Sequence, residues 1–429
     1  MRQNELLLYG GGEGDSILSR MSLLAGGRIL EQPQQRTKDL FTELRRLLQL
    51  AARFSFRGSV WHNYIALYLL THENPFSLLC ERQDPSGTLL HMAERDFRIL
   101  RRLFDFDFAP LEAALGTGCL AMMEDFQSPE EGDEAGALIR DLTERLEQTK
   151  DAAGMLRETV ASYREYGVGD LALYRAFRYR DGKLRPVRFP DAGTLDDIVG
   201  YEEQKQALRA NTEAFLAGHT ANNVLLYGDS GTGKSSCIRA LLREYGDRDL
   251  RMVEVHRYQF QELFDLMELL RERRHRFILM LDDLSFEEDE TEYKFLKAVI
   301  EGGIETRPEN VLLYATSNRR HLIRELWSDR SDMEHDGDIH RSDTMEEKLS
   351  LAERFGVAIR FDTPARQEYH GIVESLARRY GVTDPAGEEL LRRADEWEIR
   401  HGGVSGRTAE QFILALAGRD DSAGEQDGE

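Results

Sequence analysis

A chain of 429 residues is too long for one ordinary domain and, at 41% hydrophobic, can bury two or three cores. No apolar run approaches the ~20 residues of a membrane span, the first residues lack a secretory apolar region and cleavage site, and Cys80, Cys119 and Cys237 have no C-x-x-C spacing, so a cytoplasmic protein with reduced thiols is expected. Of the net charge of −22, three stretches carry most, Met123–Gly136 (−6), Ser328–Glu347 (−6) and Arg419–Glu429 (−4), which argues against a wide nucleic-acid surface while leaving room for a local basic channel.

Residues 1–170 read as a mostly α-helical N-terminal domain. Tyr9-Gly-Gly-Gly-Glu-Gly-Asp15 follows an apolar run but lacks the G-K-[ST] ending and the G-x-G-x-x-G spacing of phosphate loops, so a flexible turn is expected. Within Lys38–Phe54, Leu40, Leu44, Leu47, Leu48 and Ala51 fall at helical spacing, and Trp61, Tyr64, Ile65, Tyr68 and Leu69 repeat it. The aromatic stripe fits a helical core or a peptide groove, the core being the simpler reading. Ala93–Phe104 and Leu111–Met123 carry further helical patterns. Ala137–Tyr166 reads as one long helix, stopped by Gly167-Val-Gly169. His62, His72 and His91 are isolated, and nothing in this half looks catalytic. Residues 171–194, with the basic and aromatic Tyr174–Pro190, are expected as a linker or docking surface.

Residues 195–363 alternate strands with helices. Leu195-Asp-Asp-Ile-Val-Gly-Tyr201 precedes a helix over Glu202–Leu216, and a short apolar strand, Val224–Tyr227, follows. Arg251–Val255, Phe277–Leu281, Val311–Thr316 and Val357–Phe361 are further strands, the middle two continuous apolar runs as buried parallel strands should be. Helices are expected over Phe260–Arg273 and Tyr293–Ile300, and an acidic insertion over 328–347. Residues 364–418 give three helical patterns, Glu368–Tyr380, Gly387–Glu398 and Arg407–Ala417, and 419–429 a disordered acidic tail. This order predicts a doubly wound parallel α/β core with a helical lid.

The chemistry concentrates at strand ends. Gly228-Asp229-Ser230-Gly231-Thr232-Gly233-Lys234-Ser235 matches G-x-x-x-x-G-K-[ST], and Ser236 continues into a helix. Glycines let successive N–H groups turn inward toward phosphate oxygens, and the helix presents its positive end to the same anion. Lys234 is expected on the β- and γ-phosphates of ATP and the Ser235 hydroxyl on Mg²⁺. Asp282, ending the Phe277–Leu281 run, is expected opposite Ser235 as a partner of the metal, direct or through a bound water, because an unpaired acid is costly to bury there. Asp283 follows where a water-activating carboxylate would sit. The plain alternative for the pair is a turn that ends a strand.

The order of these features resembles AAA+ ATPases over about residues 165–417: phosphate loop, acidic strand end, Asn318 at the next strand tip, Arg354 before the last strand, Arg407 opening a lid helix. Ala315-Thr-Ser-Asn-Arg-Arg-His-Leu322 with Gly403-Val-Ser-Gly-Arg-Thr408 resembles one bacterial AAA+ family catalogued as a domain of unknown function. The resemblance implies that Val199 and Gly200 pack near adenine and that Asn318 polarises the attacking water. It implies that Arg407 touches the nucleotide from the lid and that Arg354 reaches into a neighbouring subunit as an arginine finger. A guanidinium can neutralise charge spread over a transferring phosphoryl group. Against these roles, Asn318 could cap a turn, Arg354 could form only a surface salt bridge, leaving Arg319 and Arg320 as rivals for the finger, and Arg407 could contact only its lid.

Many AAA+ motors carry Asp-Glu where this chain has Asp282-Asp283. The shorter Asp283 side chain ends one C–C bond, ~1.5 Å, further back, which predicts slow hydrolysis; initiator-like and helicase-loader-like AAA+ proteins also carry Asp-Asp, and that resemblance implies a nucleotide-driven conformational switch. Arg271-Glu-Arg-Arg-His-Arg276 and Arg319-Arg320-His321 are basic clusters that could touch nucleic acid or the acidic loops of a neighbouring subunit, a solvated helix end being the default for such charge runs. His335 and His340 fit a loop better than a metal site. The reading is an ATP- and Mg²⁺-dependent AAA+ ATPase that forms a homo-oligomer and meets an unknown protein client through its N-terminal helices, with no membrane contact. A nucleic-acid-associated loader and a non-hydrolysing ATP-binding scaffold are the alternatives. A P-loop kinase or GTPase lacks support, since the chain has no acceptor-site signature and no N-K-x-D motif.

Overall fold

A computed structural model describes residues 5–10, 17–18, 20–21, 33–116, 118–129, 132–190, 193–286, 292–301, 307–318, 351 and 353–424. The acidic insertion, Arg319-Arg320-His321, His335, His340 and most of the glycine-rich turn before Asp15 lie outside them. The chain divides into two units, Met1–Tyr174 and Arg175–Glu429.

The first unit is helical: α1 (Pro33–Arg53), α2 (Val60–Thr71), α3 (Pro75–Cys80), α4 (Gly87–Phe104), α5 (Ala109–Leu115), α6 (Glu134–Gln148), α7 (Ala152–Tyr166) and α8 (Asp170–Leu173). A two-residue antiparallel ladder joins β1 (Arg57–Gly58) to β2 (Phe126–Gln127). Helix α2 is apolar nearly all round and packs against α1, α6 and α7, as a central helix must. The aromatic stripe belongs to this core. Trp61 and Tyr64 are buried, and the Trp61 indole N–H donates to Leu103 O at 2.7 Å. The Tyr163 hydroxyl donates to Leu69 O at 2.7 Å.

Two expectations change here. Ala137–Tyr166 is two helices, because the Asp151 carboxylate accepts the Gly154 N–H at 2.7 Å and caps a new start. The apolar rhythm ran across the break because α6 and α7 face one core. Leu111–Met123 is also broken: α5 stops at Gly116 (φ 65°), Gly118 is again left-handed, and only a 3₁₀ turn, Ala121–Met123, follows.

The second unit is built on a seven-stranded sheet of order β4-β3-β6-β7-β8-β5-β9. Its strands are β3 (Ala176–Arg180), β4 (Lys183–Val187), β5 (Val224–Gly228), β6 (Leu250–Glu254), β7 (Arg276–Leu281), β8 (Val311–Ser317) and β9 (Val357–Phe361). All pairings are parallel except β3 with β4. Helices α9 (Glu202–Leu216), α10 (Lys234–Tyr245), α11 (Leu263–Arg271) and α12 (Glu292–Glu301) connect and flank them. The lid helices α13 (Arg366–Arg379), α14 (Gly387–His401) and α15 (Gly406–Gly424) close around Tyr369, Val373, Ala394 and Ile413. Among the described residues no helix is long and apolar enough to cross a membrane.

The segment expected as a linker is instead a hairpin that extends the sheet. Phe177 and Tyr179 are buried while Arg178 and Arg180 alternate outward, and Asp181-Gly182 (φ 53° and 69°) makes the two-residue turn. The outward arginines gave it the look of a solvated connector. Pro186 is tolerated because β4 is the sheet edge. Helix α15 also runs to Gly424, past the expected lid end and into the stretch expected as a tail. Extending a formed helix needs no new nucleus, so acidic residues can follow on.

Candidate nucleotide site

The site begins where β5 runs out. Gly228 sits at φ 136°, and a Cβ there would approach Phe361 O to 1.9 Å, so the strand can turn only on glycine. Gly231 (φ 77°) and Gly233 (φ 87°) then curl the chain into the head of α10. Asp229 turns away to brace the loop, its carboxylate accepting the Thr363 hydroxyl at 2.6 Å and the Thr363 N–H at 2.8 Å. Those hydrogen bonds hold the Asp229 carboxyl below its usual range. Lys234 is buried, with Nζ 3.0 Å from Gly228 O and 2.5 Å from Asp229 O. Burial lowers its ammonium pKa, against the pull of Asp229, Asp283 and Asp282 and with help from Arg407.

The acidic strand end faces this loop. Asp282 Oδ1 accepts the Ser235 hydroxyl at 2.5 Å and the Thr316 hydroxyl at 2.6 Å, and Oδ2 pairs with Arg239 at 3.0 Å. Asp283 adopts a left-handed backbone (φ 53°), which aspartate tolerates better than most residues. Its N–H donates to Thr316 Oγ1 at 2.9 Å, and its carboxylate accepts Asn318 Nδ2–H at 2.8 Å. Asn318 therefore meets the second acid directly.

A cavity of about 750 Å³ connects these groups. Val199, residues 230–236, Asp282, Asp283, Asn318 and Arg407 all line it. Gly228, Asp229 and Gly200 do not line it. They shape it instead, Gly200 (φ 79°) and Tyr201 (φ 59°) turning the pre-core segment while the Tyr201 hydroxyl donates to Asp362 O at 2.7 Å. The lid approaches through its Ser405-Gly406-Arg407 start, where a Cβ on Gly406 would lie 3.3 Å from Gly231 O. Arg354 is not among the lining residues; it pairs with Glu301 at the end of α12. Lining residues the sequence did not single out include Arg239, Thr316, Ile372 and Arg379. Two had a signal. Arg239 lies one helical turn past Ser235, and Thr316 points to the same strand face as Asn318, two residues on.

The residues fit a metal-bound nucleoside triphosphate. Ser235 and Asp282 supply hard oxygens of the type magnesium takes, the left-handed glycines leave a cradle free of side chains, and Lys234 stands at its base. Burial pushes the nearby Cys237 thiol up to about 12, so it supplies no thiolate. These features define a P-loop nucleotide-binding module of the AAA+ type.

The profile of the family described as "Protein of unknown function (DUF815)" matches residues 172–420, more than half of the chain, and the chain belongs to that family. Among curated relatives it is 29% identical to an AAA-ATPase of Arabidopsis thaliana over 24% of this chain and 23% of that protein. It is 26% identical to the ATP-dependent zinc metalloprotease FtsH 2 of Salinibacter ruber over 53% and 33%. It is 27% identical to the Holliday junction branch migration complex subunit RuvB of a Synechococcus strain over 47% and 53%. The chain thus spans between a quarter and about half the length of these relatives. Solved structures of the FIGL-1 AAA domain with ADP (17% identity, 53% of this chain and 74% of that one, TM-score 0.37) and of Thermotoga maritima RuvB (18%, 52% and 72%, 0.33) are also similar. The chain thus joins an N-terminal helical unit to a P-loop unit of the AAA+ fold.

Proposed function

We propose that the protein binds Mg·ATP in this cavity and hydrolyses it slowly, using nucleotide state as a switch for assembly with further copies and with a protein client in the cytoplasm. The observation that carries this is the convergence on one cavity of Lys234, the Ser235–Asp282–Thr316 cluster and the Asp283–Asn318 pair. Loop N–H groups and Lys234 bind the phosphates, and Ser235 and Asp282 hold the cation. Magnesium, when bound, offsets charge that develops on the transferring phosphoryl group. Asp283 takes the proton of the attacking water, and Asn318 fixes the direction of that carboxylate. Arg407 follows the nucleotide from the lid. Arg354, outside the cavity of its own chain, acts on a neighbour's.

The test is binding of a fluorescent ATP analogue and steady-state turnover over a protein concentration series. Lys234→Ala is expected to abolish both, and specific activity to rise with concentration. Arg354→Ala is expected to be inactive alone and rescued by mixing with Lys234→Ala subunits. Turnover that is flat with concentration and indifferent to Arg354 removes the shared site, and turnover well above the ~10 s⁻¹ enzyme median removes the slow switch.

A further inference from the structure

A second cavity, about 400 Å³, lies wholly within the helical unit. Its walls are apolar and aromatic: Leu47 from α1, Trp61 from α2, and Phe106 and Phe108 from the segment between α4 and α5. Phe108 meets Trp61 edge-on at 5.6 Å and Phe106 at 4.8 Å, so the rings brace one another as a preformed wall. The Trp61 N–H is already satisfied by Leu103 O, leaving its ring as the contact surface. The exposed polar lining is acidic. Glu124 is exposed, and Glu147 pairs with His62 Nδ1 at 2.7 Å while its side chain stays 44% exposed. Glu124 also belongs to the Met123–Gly136 stretch, which carries six acids and no base. Beside it Met122 is 75% exposed, an adaptable apolar side chain at the surface.

We infer that this cavity is where the helical unit holds its protein partner, by burying one bulky apolar side chain of a segment whose flanking residues are lysine or arginine. The volume exceeds that of a single Leu or Phe side chain, and the aromatic wall supplies the buried anchor contact that dominates peptide affinity. The rim carboxylates and the acidic stretch select the flanks: they attract cations and repel nucleic-acid phosphates and anionic lipid. This deepens the client-binding part of the function proposed above and names the chemistry of the client.

The test is selection of a random dodecapeptide display library against the full-length chain at physiological salt, repeated with Phe108→Ala and with Glu124→Lys. Both side chains are partly or fully exposed, so neither change empties the core. The wild-type chain is expected to enrich a bulky apolar residue flanked by Lys or Arg. Phe108→Ala is expected to weaken the selected peptide about tenfold, in line with loss of an anchor contact, and Glu124→Lys to lose the basic flanks while keeping the apolar residue. No enrichment, acidic flanks, or the same peptides selected equally by both variants overturns the proposal. ATP-analogue binding, measured on the same preparations, is expected to be unchanged, so this reading and the nucleotide reading can fail separately.

Discussion

In the helical unit Asp96 is sealed from solvent, and its carboxylate accepts the N–H groups of Leu7, Leu8 and Tyr9 at 2.7–3.2 Å. In the sheet unit Asp282 is also surrounded by donors, but they are the Ser235 and Thr316 hydroxyls and the Arg239 guanidinium, and a third of its side chain faces the cavity. The first acid is satisfied mainly by backbone N–H groups, with the Arg95 guanidinium 3.3 Å from Oδ1 beside them. The second is satisfied by side chains that can turn to another ligand. Asp96, sealed from solvent, must be paired, while Asp282 stays partly exposed; what separates structure from chemistry is whether the partners are exchangeable and reachable.

The largest effect expected on that contrast comes from Asp282→Asn. It keeps an oxygen for the two hydroxyls and removes the charge, so turnover should fall about 100-fold, the scale of a lost transition-state electrostatic contact. The thermal midpoint should move little. A large loss of stability with turnover intact would make Asp282 a structural acid like Asp96.

The mirror experiment is Asp96→Ala. Three N–H groups of Leu7, Leu8 and Tyr9 lose their acceptor inside the unit. At ~1–3 kcal/mol for each buried donor left unmade, tempered by water reaching the loosened segment, about 3 kcal/mol of destabilisation is expected. Thermal or urea unfolding followed by near-ultraviolet signals reads it. Binding of an ATP analogue should be retained, and its loss at temperatures where the unit stays folded would undo the separation of roles.

Much of the sheet unit was legible because strand ends impose residue types. A loop that must turn at φ 136° against Phe361 O needs Gly228, and an acid after an apolar strand needs a reason. The β3–β4 hairpin was misread because a half-exposed edge alternates polar and apolar residues over so few positions that its arginines read as a connector. Ile372 reaches the cavity only through tertiary folding, from a lid helix without a motif, whereas Arg239 and Thr316 sit at spacings from Ser235 and Asn318 that the sequence does carry. In the helical unit, the core helices announced themselves by period, but the 400 Å³ cavity did not: Leu47, Trp61 and Phe108 look like core positions in sequence, and only packing shows the space left between them.

The smallest expected effect refines the acidic pair itself. Asp283→Glu advances the carboxylate by one C–C bond, ~1.5 Å. If reach limits proton transfer, turnover should rise a few-fold, since a base that must work through an extra water is slower than one in direct contact. The gain is bounded by two costs. Glutamate is less tolerant of the left-handed backbone at φ 53°, a penalty of about 1 kcal/mol, and the longer side chain must give up the Asn318 Nδ2 contact at 2.8 Å that now aims it. Asn318→Ala in the Asp283→Glu background separates these terms. If Asn318 serves only to orient the shorter acid, its removal should cost less beside Glu than beside Asp. Equal costs in both backgrounds would mean that Asn318 acts on the attacking water or the nucleotide, independently of Asp283.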